Sequence, residues 1–158
     1  MIRQPFRASL LAAATLLLFS SLSNAENFKK NNITVESPVV QGSLSVYNRA
    51  NGYVVIHNGG STDEHLISVE SPVSKRIEIQ EPMTGYGKTY MHKATEPLTI
   101  KPNDYLELKP GSYQIVFFNL RDNLREGEKV PAKLHFEKAG DINVNFEIAS
   151  PSDQPKSN

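Results

Sequence analysis

The stretch Leu108–Leu120, LKPGSYQIVFFNL, constrains the fold more than any other part of the chain. Lys109-Pro110-Gly111-Ser112 reads as a turn: proline fixes one φ, glycine permits a positive one, and serine can bond its own backbone. A run rich in β-formers follows, from Tyr113 to Leu120. Alternate side chains of a strand face opposite ways, so Tyr113, Ile115 and Phe117 share one face and Gln114, Val116 and Phe118 the other. Both faces are mainly apolar. That predicts a strand inside a sandwich or barrel, with one amide, Gln114, at its start.

The remaining strands can be read around it. From Ile33 onward, short β-rich runs alternate with turn residues about every eight to twelve positions, the pattern of an all-β domain. They are Ile33–Val35 and Val39–Val40 on either side of Pro38, and Leu44–Tyr47 before a turn at Asn51-Gly52. Tyr53–His57, Leu66–Val69, Arg76–Gln80, Lys88–His92, Leu98–Ile100 and Tyr105–Leu108 follow, with a turn segment at Glu81–Gly87. Lys133–Phe136 and Asp141–Ile148 close the domain. In the last of these Ile142, Val144, Phe146 and Ile148 alternate with polar residues, as in a half-exposed antiparallel strand. No long stretch beyond the leader has helical periodicity. The fold class predicted is all-β, a mainly antiparallel barrel or sandwich.

Residues 1–25 carry the three parts of a secretory signal peptide: Arg3 and Arg7, the apolar run Leu10–Phe19, and the small-x-small site Ser23-Asn24-Ala25. The apolar run is shorter than the roughly 20 residues that span a bilayer. A soluble exported protein is therefore expected, with no membrane insertion after cleavage and a periplasmic location in a bacterial cell. Its domain would be residues 26–148, frayed over Glu26–Asn32, with a disordered polar tail at 149–158. After cleavage, 15 basic residues face 17 acidic ones, a net charge of −2 that offers nothing to nucleic acid. The sequence has no cysteine, which excludes disulfides, thiolate metal sites, cysteine nucleophiles and lipid attachment through a thiol.

The chain also lacks a phosphate-binding glycine loop, a nucleophile elbow and a His-x-x-x-His pair, so no constellation points to an enzyme. Soft-metal chemistry must rest on methionine and histidine. Beyond the leader only Met83 and Met91 remain, and His92 follows Met91. A thioether beside an imidazole suits Cu(I). Adjacent residues of a strand point to opposite faces, however, so a shared site for Met91 and His92 needs an irregular backbone. The alternative is structural: Met91 fills the core, while Met83 and His92 sit exposed beside a turn. His57, His65 and His135 are dispersed and read as structural or solvent-facing.

Ile56-His57-Asn58-Gly59-Gly60, Glu107–Tyr113 and Leu134–Gly140, in this order and with the strands between them, resemble the periplasmic copper chaperones called PCu(A)C. The linker Leu124-Arg125-Glu126-Gly127-Glu128 is similar too, and the likeness covers about Val39–Ile148. The resemblance implies a small cupredoxin-like β-barrel, Cu(I) as the bound metal, and a role in copper delivery or respiratory-oxidase assembly. It implies a cuproprotein or oxidase-assembly factor as the partner. The family's ligand pattern is His-x10-Met-x21-His-x-Met. Matched residue by residue, its first His is Gln80 here, its Met is kept as Met91, its second His is Gln114, and its last Met is Val116. Ten residues separate Gln80 from Met91 and twenty-two separate Met91 from Gln114, one more than the pattern.

Three of the four ligands are thus replaced. An amide oxygen is a hard, weak donor and valine is none, so the site is expected to hold Cu(I) weakly or not at all. The two glutamines can instead hydrogen-bond to each other and close the site as a polar plug. Two rescues remain open. Met83 and His92 can join Met91 in a shifted site, or a partner can supply the missing ligands. The second function expected, of a different class, is a metal-free interaction module on the same barrel. An exposed apolar patch beside Gln80 and Gln114 favours the module, and a cluster of Met83, Met91 and His92 favours metal.

Overall fold

The computed structural model describes residues 26–42, 48–121 and 125–149. Eleven strands form one continuous sheet: β1 (Asn27–Lys30), β2 (Ile33–Gly42), β3 (Arg49–Asn58), β4 (Glu64–Glu70), β5 (Ser74–Gly85), β6 (Lys88–Lys93), β7 (Leu98–Ile100), β8 (Asp104–Leu108), β9 (Gln114–Leu120), β10 (Lys129–Phe136) and β11 (Gly140–Ile148). Their order is β6-β5-β9-β3-β2-β11-β10-β4-β7, with β1 added to β2 and β8 to β3. All pairs are antiparallel except β2 with β11.

The sheet folds back on itself at that parallel joint. Its two halves bury one core: Val54, Ile56, Ile115 and Phe117 from one side meet Leu66, Leu134, Phe136 and Phe146 from the other. The rings of Phe117 and Phe146 meet edge to face across it, 5.9 Å between centroids at 78°. The alternation expected of the last strand holds, since Ile142, Val144, Phe146 and Ile148 are all buried.

Four local expectations are corrected. Glu26–Asn32 is not frayed: β1 pairs with Ile33–Glu36 through a hairpin at Asn31, and Phe28 packs against the core. The runs on either side of Pro38 are one strand, interrupted by a register shift between Glu36 and Val39 and a positive φ of 49° at Ser37. Asn51-Gly52 is strand rather than turn. A Cβ at Gly52 would lie 2.9 Å from the Phe117 ring, so glycine here serves close packing. Finally, Glu81–Gly85 continues β5 and only Tyr86-Gly87, both with positive φ, make the turn into β6. The predicted strand Leu44–Tyr47, the leader 1–25 and most of the tail lie outside the described residues.

Buried polar groups hold the ends of the barrel. Asn58, 3% exposed, donates from Nδ2 to the carbonyls of Thr62 (2.8 Å) and Ile100 (3.0 Å) and accepts from Gly60 N–H (2.9 Å). The Asn-Gly-Gly motif therefore builds a loop. Glu64, 4% exposed, accepts from the amides of His65, Lys138 and Ala139 at 2.8–2.9 Å and clamps the β10–β11 turn. Burial pushes its carboxyl up, but those three amides and the Lys138 charge outweigh that and hold it below the usual value.

Candidate functional site

The site is built on the three strands β6, β5 and β9. β9 lies between β3 and β5, which makes it the middle strand of its half of the sheet. In the register of β5 with β9, Gln80 stands opposite Gln114 and Glu78 opposite Val116. In the register of β5 with β6, Pro82 stands opposite Met91. Opposed residues of antiparallel strands share a face, and residues two apart on a strand do too. Gln80, Met91, Gln114 and Val116 therefore lie on one face of the sheet, turned away from the core that Ile77, Ile79, Ile115 and Phe117 line. The four family ligand positions thus share a face: the register sets Gln80 against Gln114 with Val116 two residues on, while Met91 lies opposite Pro82, four residues along β5 from the Glu78 that faces Val116.

The glutamines meet. Gln114 Nε2 donates to Gln80 Oε1 at 3.3 Å, a long hydrogen bond and the one expected from their positions. Gln80 Nε2 in turn donates to Glu78 Oε2 at 3.2 Å. The other oxygen of Glu78 lies 3.6 Å from Arg76 Nε, and the Arg76 guanidinium sits 4.0 Å above the Phe118 ring. A polar chain Gln114–Gln80–Glu78–Arg76 thus runs along β5, with Gln114 only 7% and Val116 only 1% exposed at its inner end. On the other side of Val116 stands Asn51 of β3, whose buried Oδ1 has no hydrogen-bond partner among the described residues.

Glu78 and Asn51 were missed in the sequence reading. The signal for Glu78 was its two-residue step from Gln80. The signal for Asn51 was only the register of β3 against β9, which a single sequence does not carry. Two residues on from Asn51, burial raises the Tyr53 phenol pKa, and the Asn51 side chain works the other way.

The methionines and His92 do not gather. Met91 is half-buried on the outer face and is not part of the core, against the structural reading of it as a core filler. His92 stands opposite Glu81, with Nε2 3.7 Å from Oε1, on the other face of the ribbon. Met83 stands opposite Tyr90 on that same face, on a regular strand rather than in a turn, and is 54% exposed. The ribbon thus separates Met91 from the pair Met83 and His92. Each of the other histidines lies beside a carboxylate: His57 by Glu36 at 3.4 Å, His65 by Glu137 at 2.5 Å, His135 by Asp141 at 2.7 Å.

The donor types at the four positions are two amides and one thioether, and of these only the amides are bonded to one another. Among the described residues no group of three or more His, Cys, Asp or Glu is placed to hold a metal ion. Chemically the two glutamines and Glu78 can hydrogen-bond to one another, and the β5–β6 ribbon presents Met83, Tyr86 and Tyr90, all exposed.

The LpqE-like family model, a lipoprotein family by its description, matches residues 33–148. Solved structures share the fold. The apo PCuAC domain from PmoF1 is 23% identical with a TM-score of 0.70, over 80% of this chain and 100% of that one. The copper-bound PCuAC domain from PmoF2 is 18% identical with a TM-score of 0.68, over 80% and 99%. The solution structure of apo-DR1885 from Deinococcus radiodurans is 18% identical with a TM-score of 0.60, over 98% and 97%. No curated protein matches the chain. The PCu(A)C resemblance and the cupredoxin-like, all-β fold expected from sequence both stand.

Proposed function

The chain belongs to the LpqE-like family, and from that premise we propose that it is an exported copper-handling protein of the chaperone type whose own metal site has closed. The fold it shares with PCuAC domains, one of them copper-bound, supports the copper connection. The observation that carries the second half is the hydrogen bond from Gln114 to Gln80, across the two positions where the resemblance sets imidazoles. Cu(I) prefers thioether and imidazole to amide oxygen, and Val116 offers no donor. The donor set does not fit Cu(I), and we propose weak binding or none. A delivery step to a respiratory oxidase, or to another cuproprotein, would then need ligands from the partner.

A Cu(I) titration of the exported protein against a chromophoric chelator tests this reading. Little retention is expected for the natural sequence. Gln80→His, Gln114→His and Val116→Met introduced together should raise Cu(I) affinity on the order of a thousandfold, about 4 kcal/mol. Tight binding by the natural sequence would refute the closed site. Failure of the triple variant to bind, while still folded, would refute the residue match on which it rests.

The interaction-module reading is favoured by one feature. The exposed apolar side chains Met83 and Tyr90, with Tyr86 at the turn, stand on the β5–β6 ribbon, on the face opposite to Gln80 rather than beside it. Such a patch fits a protein contact, and the absence of a clustered Met83, Met91 and His92 removes the competing argument for metal. We hold it as the second reading. Loss of co-purifying partners on Tyr86→Ser with Tyr90→Ser, with Cu(I) retention unchanged, would raise it to first.

A further inference from the structure

We propose that the open edge of β5 around Ile77 is a strand-addition site for an extended polypeptide segment with apolar residues at alternate positions and, in that same alternation, an acidic residue where the segment passes Lys75.

β5 is paired on both sides only in part. β9 pairs with Ser74–Gln80, but β6 pairs only with Gln80–Gly85, and its line ends where Ala94 N–H bonds Ile79 C=O at 2.9 Å. That bond shows that the Ile79 carbonyl faces away from β9. Backbone groups alternate along a strand, so the N–H and C=O of Ile77 face the same way. No described residue bonds them. Unpaired backbone groups on a sheet edge are a template for another strand.

The vacant slot is not bare surface. It opens on a cleft of about 800 Å³, within the range of specific binding pockets, whose lining includes Phe28, Val69, Ile77, Ala132 and Val144. Alternate side chains of an added strand would turn toward this floor. Lys75 and Lys133 line the same cleft. Lys133 Nζ is 3.5 Å from Asp141, while exposed Lys75 has no carboxylate within 4.0 Å among the described residues. The one acid in the lining, Glu70, lies 3.4 Å from His135 Nε2. Lys75 is two residues from Ile77 and shares its face, so the cation is matched by an acidic residue on the floor-facing side of the incoming segment, at the Lys75 end. An acyl chain would use the floor and the lysine but leave the Ile77 N–H unpaired, and so fits less well.

The site lies on the edge and core side of β5, whereas Gln80 faces outward, so the inference stands or falls apart from the copper reading. The test uses the exported protein with a capped octapeptide that alternates valine with serine and carries glutamate in place of one terminal valine, the same peptide with lysine for glutamate, and oleate as a third probe. Amide hydrogen exchange and NMR shifts are read residue by residue. The glutamate peptide should protect the Ile77 amide and shift Lys75–Ile79. Lys75→Glu should weaken it about tenfold. Ile77→Pro removes a donor that β9 does not use, together with an apolar side chain packed against the core, and should abolish binding. If Ile77→Pro fails to fold, Lys75→Glu and the lysine peptide still decide. No protection of Ile77 at saturating peptide, equal binding of the lysine peptide, or binding of oleate alone would each overturn the proposal.

Discussion

The two faces of β9 differ in what they ask of their residues. On the inner face Ile115 and Phe117 are sealed in an apolar core that spans both halves of the sheet. On the outer face Gln114 and Val116 are almost as buried, at 7% and 1%, but their neighbours are amides, a carboxylate and a guanidinium. The inner face defines the barrel and tolerates only side chains of the same shape. The outer face can exchange ligands for non-ligands and keep the barrel, provided the buried polar atoms find partners. A fold recognisable beside PCuAC domains can thus carry a different chemistry.

The contrast breaks first at Phe117. Phe117→Ala removes a ring that touches Phe146 and closes over Gly52, and should cost about 3–5 kcal/mol in denaturant unfolding. A loss near that of an outer-face substitution would mean that the two faces are not distinct.

Much of this fold was legible because alternation reports which side of a strand is buried, as Ile142 to Ile148 and Tyr113 to Phe118 illustrate. Three features were not legible. Asn51-Gly52 has the composition of a turn, and only the Phe117 ring across the sheet explains why glycine sits in a strand there. Met83 was assigned to a turn because Pro82 and Gly85 flank it, yet the ribbon accommodates both. The site itself was legible as four positions through the resemblance, but Glu78 and Asn51 join it by register, which depends on the assembled sheet.

Two buried polar side chains sharpen the comparison. Glu64 is held by three backbone amides, whereas Gln114 is held by one long bond that it donates to another side chain. Glu64→Gln puts an amide N–H where an acceptor is required and should cost about 2–3 kcal/mol. Its carboxyl pKa is lowered by folding, so its contribution is present above the unfolded value of about 4.3 and is lost as pH falls through the folded one. The difference between the natural protein and Glu64→Gln should therefore shrink when unfolding is followed below about pH 4. A pH-independent difference would show that shape, not charge, makes the clamp.

Gln80→Leu is expected to be milder, about 1–2 kcal/mol, because it leaves the Gln114 amide without its partner. Adding Gln114→Leu should recover most of that loss, since two apolar groups in place of a bonded pair are nearly neutral. Additive losses in this double-mutant cycle would break the idea that the glutamines stand in for each other.

The smallest effect belongs to Met91. It is half-buried, faces outward opposite Pro82, and takes no part in the core. Met91→Leu conserves volume and should change stability by less than about 0.5 kcal/mol, measured as the shift in denaturant midpoint. In the natural sequence it should also leave Cu(I) retention unchanged, because a lone thioether among amides binds the ion poorly. In the triple variant with Gln80→His, Gln114→His and Val116→Met, the same change should remove one of four donors and weaken Cu(I) by about tenfold or more. A retained ligand position without effect until its partners return is the signature of a site that closed by substitution around it. A large stability loss from Met91→Leu would assign that methionine to the fold, and the contrast between the two faces of the sheet would have to be redrawn.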